Sequence, residues 1–180
     1  RLCTNVLLST ANLPDSLPLF HATRGNIVTG GVGTPINNTN VDLATAQMQT
    51  MAMLGSNRAS GLTPDRGLFH PSRRGEALRF FSSGMEFMPV TDATKNIYAG
   101  TVQVLVEADL QLLSQSSDNW YLFANPQQRA AVVFMFMSGY ENGRALTYFN
   151  PKNGSQIFQF QGRMAASPND PRGAQIVKVS

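Results

Sequence analysis

At 180 residues with 42% apolar content, the chain is long enough to bury a real core and fits one domain of ordinary size, perhaps carrying a small appendage. Charged residues make up only 14% against roughly 25% in typical globular domains, and a net charge of +3 permits contact with a polyanion without requiring it. Cys3 is alone and His21 and His70 are few and isolated, which excludes an internal disulfide or zinc site, and no apolar run approaches the roughly 20 residues that span a bilayer; no cofactor and no membrane partner are expected.

Near the start, Leu13-Pro14 and Leu17-Pro18 force extended or turning backbone, since the proline ring disfavours helix in the residue before it. A short strand is predicted at Leu19 to His21. Residues 25–40 read Gly-Asn-Ile-Val-Thr-Gly-Gly-Val-Gly-Thr-Pro-Ile-Asn-Asn-Thr-Asn, rich in turn formers and poor in core residues, and predict a long flexible loop. Asp42 then supplies a capping oxygen, and Leu43 to Leu54 runs without glycine or proline until Gly55, which predicts a helix with Ala44, Met48 and Met51 on its buried face. A strand at Gly67 to His70 leads into a second helix over Ser72 to Ser82, with Pro71 near its start, Ser72 as cap and Gly84 as terminator.

Past residue 96 the period changes to two. Val102, Val104 and Val106 alternate with Gln103, Leu105 and Glu107, the pattern of a half-buried strand. Trp120 to Phe123 and Val132 to Met137 are continuous apolar runs, as in strands covered on both faces; the second also fits a buried helix segment. Leu146 to Phe149 and Gln156 to Phe160 flank Asn153-Gly154 and predict a hairpin, and Ile176 to Val179 a last short strand. Helices early and strands late give an α+β domain.

Catalytic patterns fail on inspection. Gly25 and Gly30 have the spacing of a phosphate-binding loop, but Gly31 and Val32 stand where lysine and a hydroxyl residue are needed. No serine elbow occurs, His70 between Phe69 and Pro71 reads as structural, and the carboxylates share no spacing that would pair an acid with a base. No enzymatic activity is expected. The polar surface is instead filled by amides: 14 Asn and 11 Gln equal the 14 Lys plus Arg and 11 Asp plus Glu together. Because charges lose hydration in a contact, such a surface fits extensive packing against neighbours. Gly30, Gly31, Gly33, Asn37 and Asn38 are the candidate interface loop; Arg73, Arg74 and Arg79, around the second helix, are candidates to face DNA or a neighbouring subunit.

The order of motifs resembles the major capsid proteins of tailed bacteriophages, with the nearest likeness to those of Mu-like prophages and of protease-capsid fusion polypeptides. Leu19-Phe20-His21-Ala22-Thr23-Arg24-Gly25-Asn26 precedes an alanine- and methionine-bearing helix, then come a passage from Gly61 to Pro64, the strand before Pro71 and its helix. Asn96 to Gly100, Trp120 to Phe123, Asn125-Pro126, the apolar strand ending at Gly139 and Asp170 to Gly173 complete the series. The resemblance implies the shell-subunit fold, mainly its axial domain with part of the peripheral one. It also implies a subunit that assembles with itself into hexamers and pentamers and then an icosahedral shell around packaged DNA, with other head proteins as further partners. The chain opens on Arg1 in place of methionine and lacks an obvious long spine helix, so residues 1–180 are expected to be one domain of a C-terminal fragment. A phage-encoded β-rich binding or tail-associated module is the alternative, and a hydrolase domain a more distant one.

Overall fold

The protein is described from a computed structural model that covers residues 13, 15–31, 34–53, 56–82, 97–113 and 118–178. Five strands form the main sheet: β1 (Ile27–Thr29), β2 (Pro64–Phe69), β3 (Gln103–Val106), β4 (Trp120–Ala124) and β9 (Ala174–Lys178), in the spatial order β1-β9-β4-β2-β3. β1 runs parallel to β9 and β2 parallel to β3, while β4 is antiparallel to both its neighbours. Between β4 and β9 the chain leaves the sheet and makes two narrow ribbons, β5 (Val132–Phe136) with β8 (Met164–Pro168) and β6 (Arg144–Asn150) with β7 (Ser155–Gln161). Two helices, α1 (Asn38–Thr50) and α2 (Arg74–Ser82), complete an α+β architecture.

Alternation along the strands divides the sheet into two faces. Val28, Phe69, Trp120, Leu122 and Val177 point to the helix side, where they meet Val41, Ala44 and Met48 of α1 and Ala77 and Phe81 of α2. Trp120 and Phe69 stack there with centroids 6.0 Å apart. On the opposite side Tyr121 and Ile176 are capped by Leu110, from the 3-10 helix Ala108–Leu113, and Leu19 and Phe20 cover part of the remainder.

Several sequence expectations are corrected. Residues 25–40 are not one continuous loop: the β-branched trio Ile27, Val28 and Thr29 pairs with Ile176, Val177 and Lys178, and residues 38–40 are already helical. The helix starts five residues before Leu43, because Asn37 and not Asp42 caps it, its side chain accepting from the Asn40 amide at 2.8 Å. It ends at Thr50; Leu54 and Gly55 lie outside the described residues. Leu19 to His21 is a bend, after which His21 caps a 3-10 turn at Ala22–Arg24. At the second helix the cap is His70, whose Nδ1 accepts from the Ser72 amide at 3.2 Å; Pro71–Arg73 form a 3-10 turn before α2, and Gly84 lies outside the described residues.

Residues 97–101 form a turn in place of the start of a strand, with Gly100 at φ +74° donating to the Phe81 carbonyl at 2.8 Å. The strand from 103 to 106 sits at the sheet edge, so its alternation decays from a buried Val102 to an exposed Val106. The short C-terminal strand is longer than its apolar residues suggest and lies inside the sheet, with Gln175 fully buried. Val132 to Phe136 is a strand, but it is not covered on both faces: Phe134, Met135 and Phe136 are all largely exposed.

Candidate subunit interface

The two ribbons form one arm, residues 132–168, inserted between adjacent antiparallel strands of the sheet. Its base is rigidly held. Asn169 donates through its backbone to the Ala131 carbonyl (2.8 Å) and through its side chain to that of Ala130 (3.0 Å). Asp170 caps the 3-10 turn Pro171–Gly173 and receives a two-pronged contact from the Arg172 guanidinium, whose Nε lies 2.8 Å from Oδ1. Burial alone pushes the Asp170 carboxyl up, but its bonds to Arg172 and the nearby charge of Arg129 outweigh that and hold it below the usual carboxylate range. Gly173 is required by packing, since a Cβ there would sit 2.7 Å from the Arg129 carbonyl oxygen. The Asp-x-Arg-Gly series is thus an anchor for the arm.

Register fixes what the outer ribbon presents. Ala145 faces Phe160, Thr147 faces Phe158 and Phe149 faces Gln156, and directly opposed residues lie on the same side of a ribbon. One side therefore carries Ala145, Thr147, Phe149, Gln156, Phe158 and Phe160 without a single charge. Its three phenylalanines are 66%, 77% and 73% exposed, in chain order. The other side is mixed: Arg144, Leu146, Gln159 and Gln161 accompany a half-exposed Tyr148 and Ile157. The turn closes on Gly154 at φ +68°, where a side chain would be strained. Nearer the base, Phe134 and Phe136 stack at 6.3 Å, and Met164 lies opposite Phe136.

A row of exposed phenylalanines is costly for an isolated molecule. Full burial of one such side chain is worth about 1.5–3 kcal/mol, so covering three supplies several kcal/mol per contact. Contiguous apolar patches of this kind mark interaction surfaces. The sequence held the signal in Phe158-Gln159-Phe160-Gln161, whose period of two places both rings on one side, together with the hairpin register that adds Phe149. Neither alternation nor composition says that no layer of the domain reaches that side.

The residues singled out from sequence are dispersed. Gly30 is packed into the body: its amide donates to the Lys178 carbonyl at 3.0 Å, and a Cβ would meet Val177 Cγ1 at 2.9 Å. Gly31 is exposed at φ +75° with open space around it, and Gly33 lies outside the described residues. Asn37 is the exposed cap of α1 and Asn38 its half-buried first residue.

The segment between them is tied down at Thr34, fully buried with φ +34°, a left-handed conformation unusual for a β-branched residue. The Thr34 carbonyl accepts from Trp120 Nε1 (3.0 Å) and Arg73 Nη1 (3.1 Å), and its hydroxyl donates to the Asp118 carbonyl. Arg73 also pairs with Glu76 (3.1 Å) and Asp118 (3.0 Å), and its side chain is only 11% exposed. Of the basic trio, Arg73 is an internal clamp, while Arg74 and Arg79 are exposed. Among the described residues no group of three His, Cys, Asp or Glu side chains could hold a metal ion, and no helix is long and apolar enough to cross a membrane.

An α+β body thus holds out a ribbon that is uncharged and aromatic on one side. The sequence model of a family described as phage capsid protein matches residues 2–178, and the chain belongs to that family. A search of curated proteins finds no match. Among solved structures, a phage-related protein from Bordetella bronchiseptica RB50 is similar with a TM-score of 0.57 at 11% identity, over 98% of this chain and 58% of that one. This is a likeness of fold. A virus-like particle from Pyrococcus furiosus gives a TM-score of only 0.37 at 13% identity, over 85% of this chain and 55% of that one. The chain thus spans 58% and 55% of the lengths of these two proteins.

Proposed function

We propose that the chain is the shell-forming part of a tailed-phage major capsid subunit of the Mu-like type, mainly its axial domain with part of the peripheral one. In that reading the full-length subunit assembles with itself into hexameric and pentameric capsomers and then an icosahedral head that encloses DNA. The observation that carries it is the uncharged side of the outer ribbon with Phe149, Phe158 and Phe160 turned outward, in a chain of the phage capsid protein family. Modest contacts repeated around a ring add up to a stable assembly while each one stays reversible, which allows errors to be corrected during growth.

Exposed Gly31 and Asn37 are secondary subunit contacts in this reading. Arg74 and Arg79 are left to meet DNA or a neighbour. Electron microscopy of the full-length product tests the function. Capsomers or shell-like particles are expected, and a product that stays monomeric at high concentration contradicts it.

A further inference from the structure

The side of the main sheet away from the helices is only partly covered. Leu68 and Phe123 pack in part against the clusters around Leu19 and Leu110, and beside them a trough about 250 Å³ in volume remains, lined by Leu68, Leu105, Phe123, Pro126 and Val132 together with Glu107. Leu68 and Leu105 are direct neighbours across β2 and β3, so this is a shallow aliphatic and aromatic floor on the sheet itself. Its volume falls below the roughly 300–1,000 Å³ of small-molecule pockets and suits side chains presented by another chain.

We propose that this trough receives the outer ribbon of a second copy, with Phe158 and its neighbours seated over Leu68, Leu105 and Phe123. The inference rests on the capsid-subunit reading and deepens it by naming the receiving surface. Three observations select a copy of this chain as the occupant. The trough and the ribbon side are both largely apolar, and among the described residues neither is fully covered. The arm leaves its own body at Val132, on the trough's edge, and its phenylalanines lie 17, 26 and 28 residues further on.

Charge also matches. From residue 132 to 168 the arm carries Arg144, Lys152 and Arg163 against one acid, Glu141. At the trough, Arg66 is paired with Asp65 (3.5 Å) and Arg129 with Asp170 (3.6 Å), whereas Glu107 has no cationic partner among the described residues. A basic arm arriving beside Glu107 gains attraction, and an acidic one would be repelled. Because ribbon and trough are different surfaces, the contact is head-to-tail. Each such contact leaves one free ribbon and one free trough, so further copies can add until the ring closes where the rotation allows, which is the geometry a capsomer needs.

The test uses two variants of the chain, Phe158→Asp on the arm and Leu105→Asp in the trough, followed by sedimentation velocity alone and mixed, with circular dichroism to verify folding. Each alone is expected to self-associate at least about tenfold more weakly than the parent chain, as for loss of an interface anchor. Mixed, they are expected to form a one-to-one pair, since one retains an intact arm and the other an intact trough. If Leu105→Asp does not fold, Glu107→Arg takes its place as the trough variant.

A parent chain that assembles while the mixture shows no pair overturns the arm-in-trough contact and leaves the capsid reading standing. Rescue by neither partner, with trough variants assembling normally, overturns it in the same way. A parent chain and full-length product that both remain monomeric overturn the two readings together.

Discussion

The sheet and the arm are built from the same kinds of residue and meet opposite fates. Trp120, Tyr121 and Leu122 lie in a strand with neighbours on both edges and a layer on each face, and all three are at most 1% exposed. Phe149, Phe158 and Phe160 sit in a ribbon of only two strands, over which the described residues lay no further layer, and are at least 66% exposed. A two-stranded ribbon is at best marginally stable by itself in water. The difference teaches that apolar alternation reports which side of a strand wants cover, while topology decides whether the cover comes from the same chain or from another.

The contrast can be broken most forcefully in the body. Trp120→Ala removes the ring that joins α1, α2 and the buried Thr34 carbonyl, and is expected to cost about 3–5 kcal/mol of folding stability in chemical denaturation. Phe158→Ser should by comparison change the stability of the single chain by no more than about 0.5 kcal/mol, as at other exposed positions. Equal losses would mean that the arm is part of the core.

Acid should act at the junction of the two regions. The folded state holds Asp170 below the usual carboxylate range, so the unfolded chain binds its proton more readily. The stability this supplies is complete above the unfolded value, near about pH 4, and is lost as pH falls toward the folded one. Asp170→Asn is expected to flatten that part of the stability profile between neutral and acid pH, measured by thermal unfolding across the range. An unchanged slope would place the anchoring charge elsewhere. A smaller effect is expected at the start of α1, where Asn37→Ala should cost about 1 kcal/mol by leaving the Asn40 amide without its cap.

Much of the body was readable from the sequence because local signals agreed with long-range ones. Pro71 and the apolar residues Ala77, Leu78, Phe80 and Phe81 located the second helix, of which Ala77 and Phe81 are buried and Leu78 is exposed, and Asn153-Gly154 located the hairpin. Errors arose where short segments were recruited by distant partners. Ile27-Val28-Thr29 looks like part of a glycine-rich loop until the last strand, about 150 residues away, supplies its hydrogen bonds. Gln175 gives no hint of a buried strand position until the sheet order is known.

The candidate site was less legible. Arginine at residue 73 looks like a surface charge in sequence, but Thr34, Glu76 and Asp118 converge on it from three separate segments. Phe134 and Phe136 looked like core because an apolar run carries no label for the molecule that will cover it.

The central claim is that the uncharged side of the arm is the main surface by which one subunit holds the next. It is tested most directly by mass photometry of the full-length protein beside a variant with Phe149, Phe158 and Phe160 all replaced by serine. The account predicts that the parent forms capsomers or shells while the variant, with an unchanged circular dichroism spectrum, is found as single subunits. A variant that builds the same particles as the parent would contradict it.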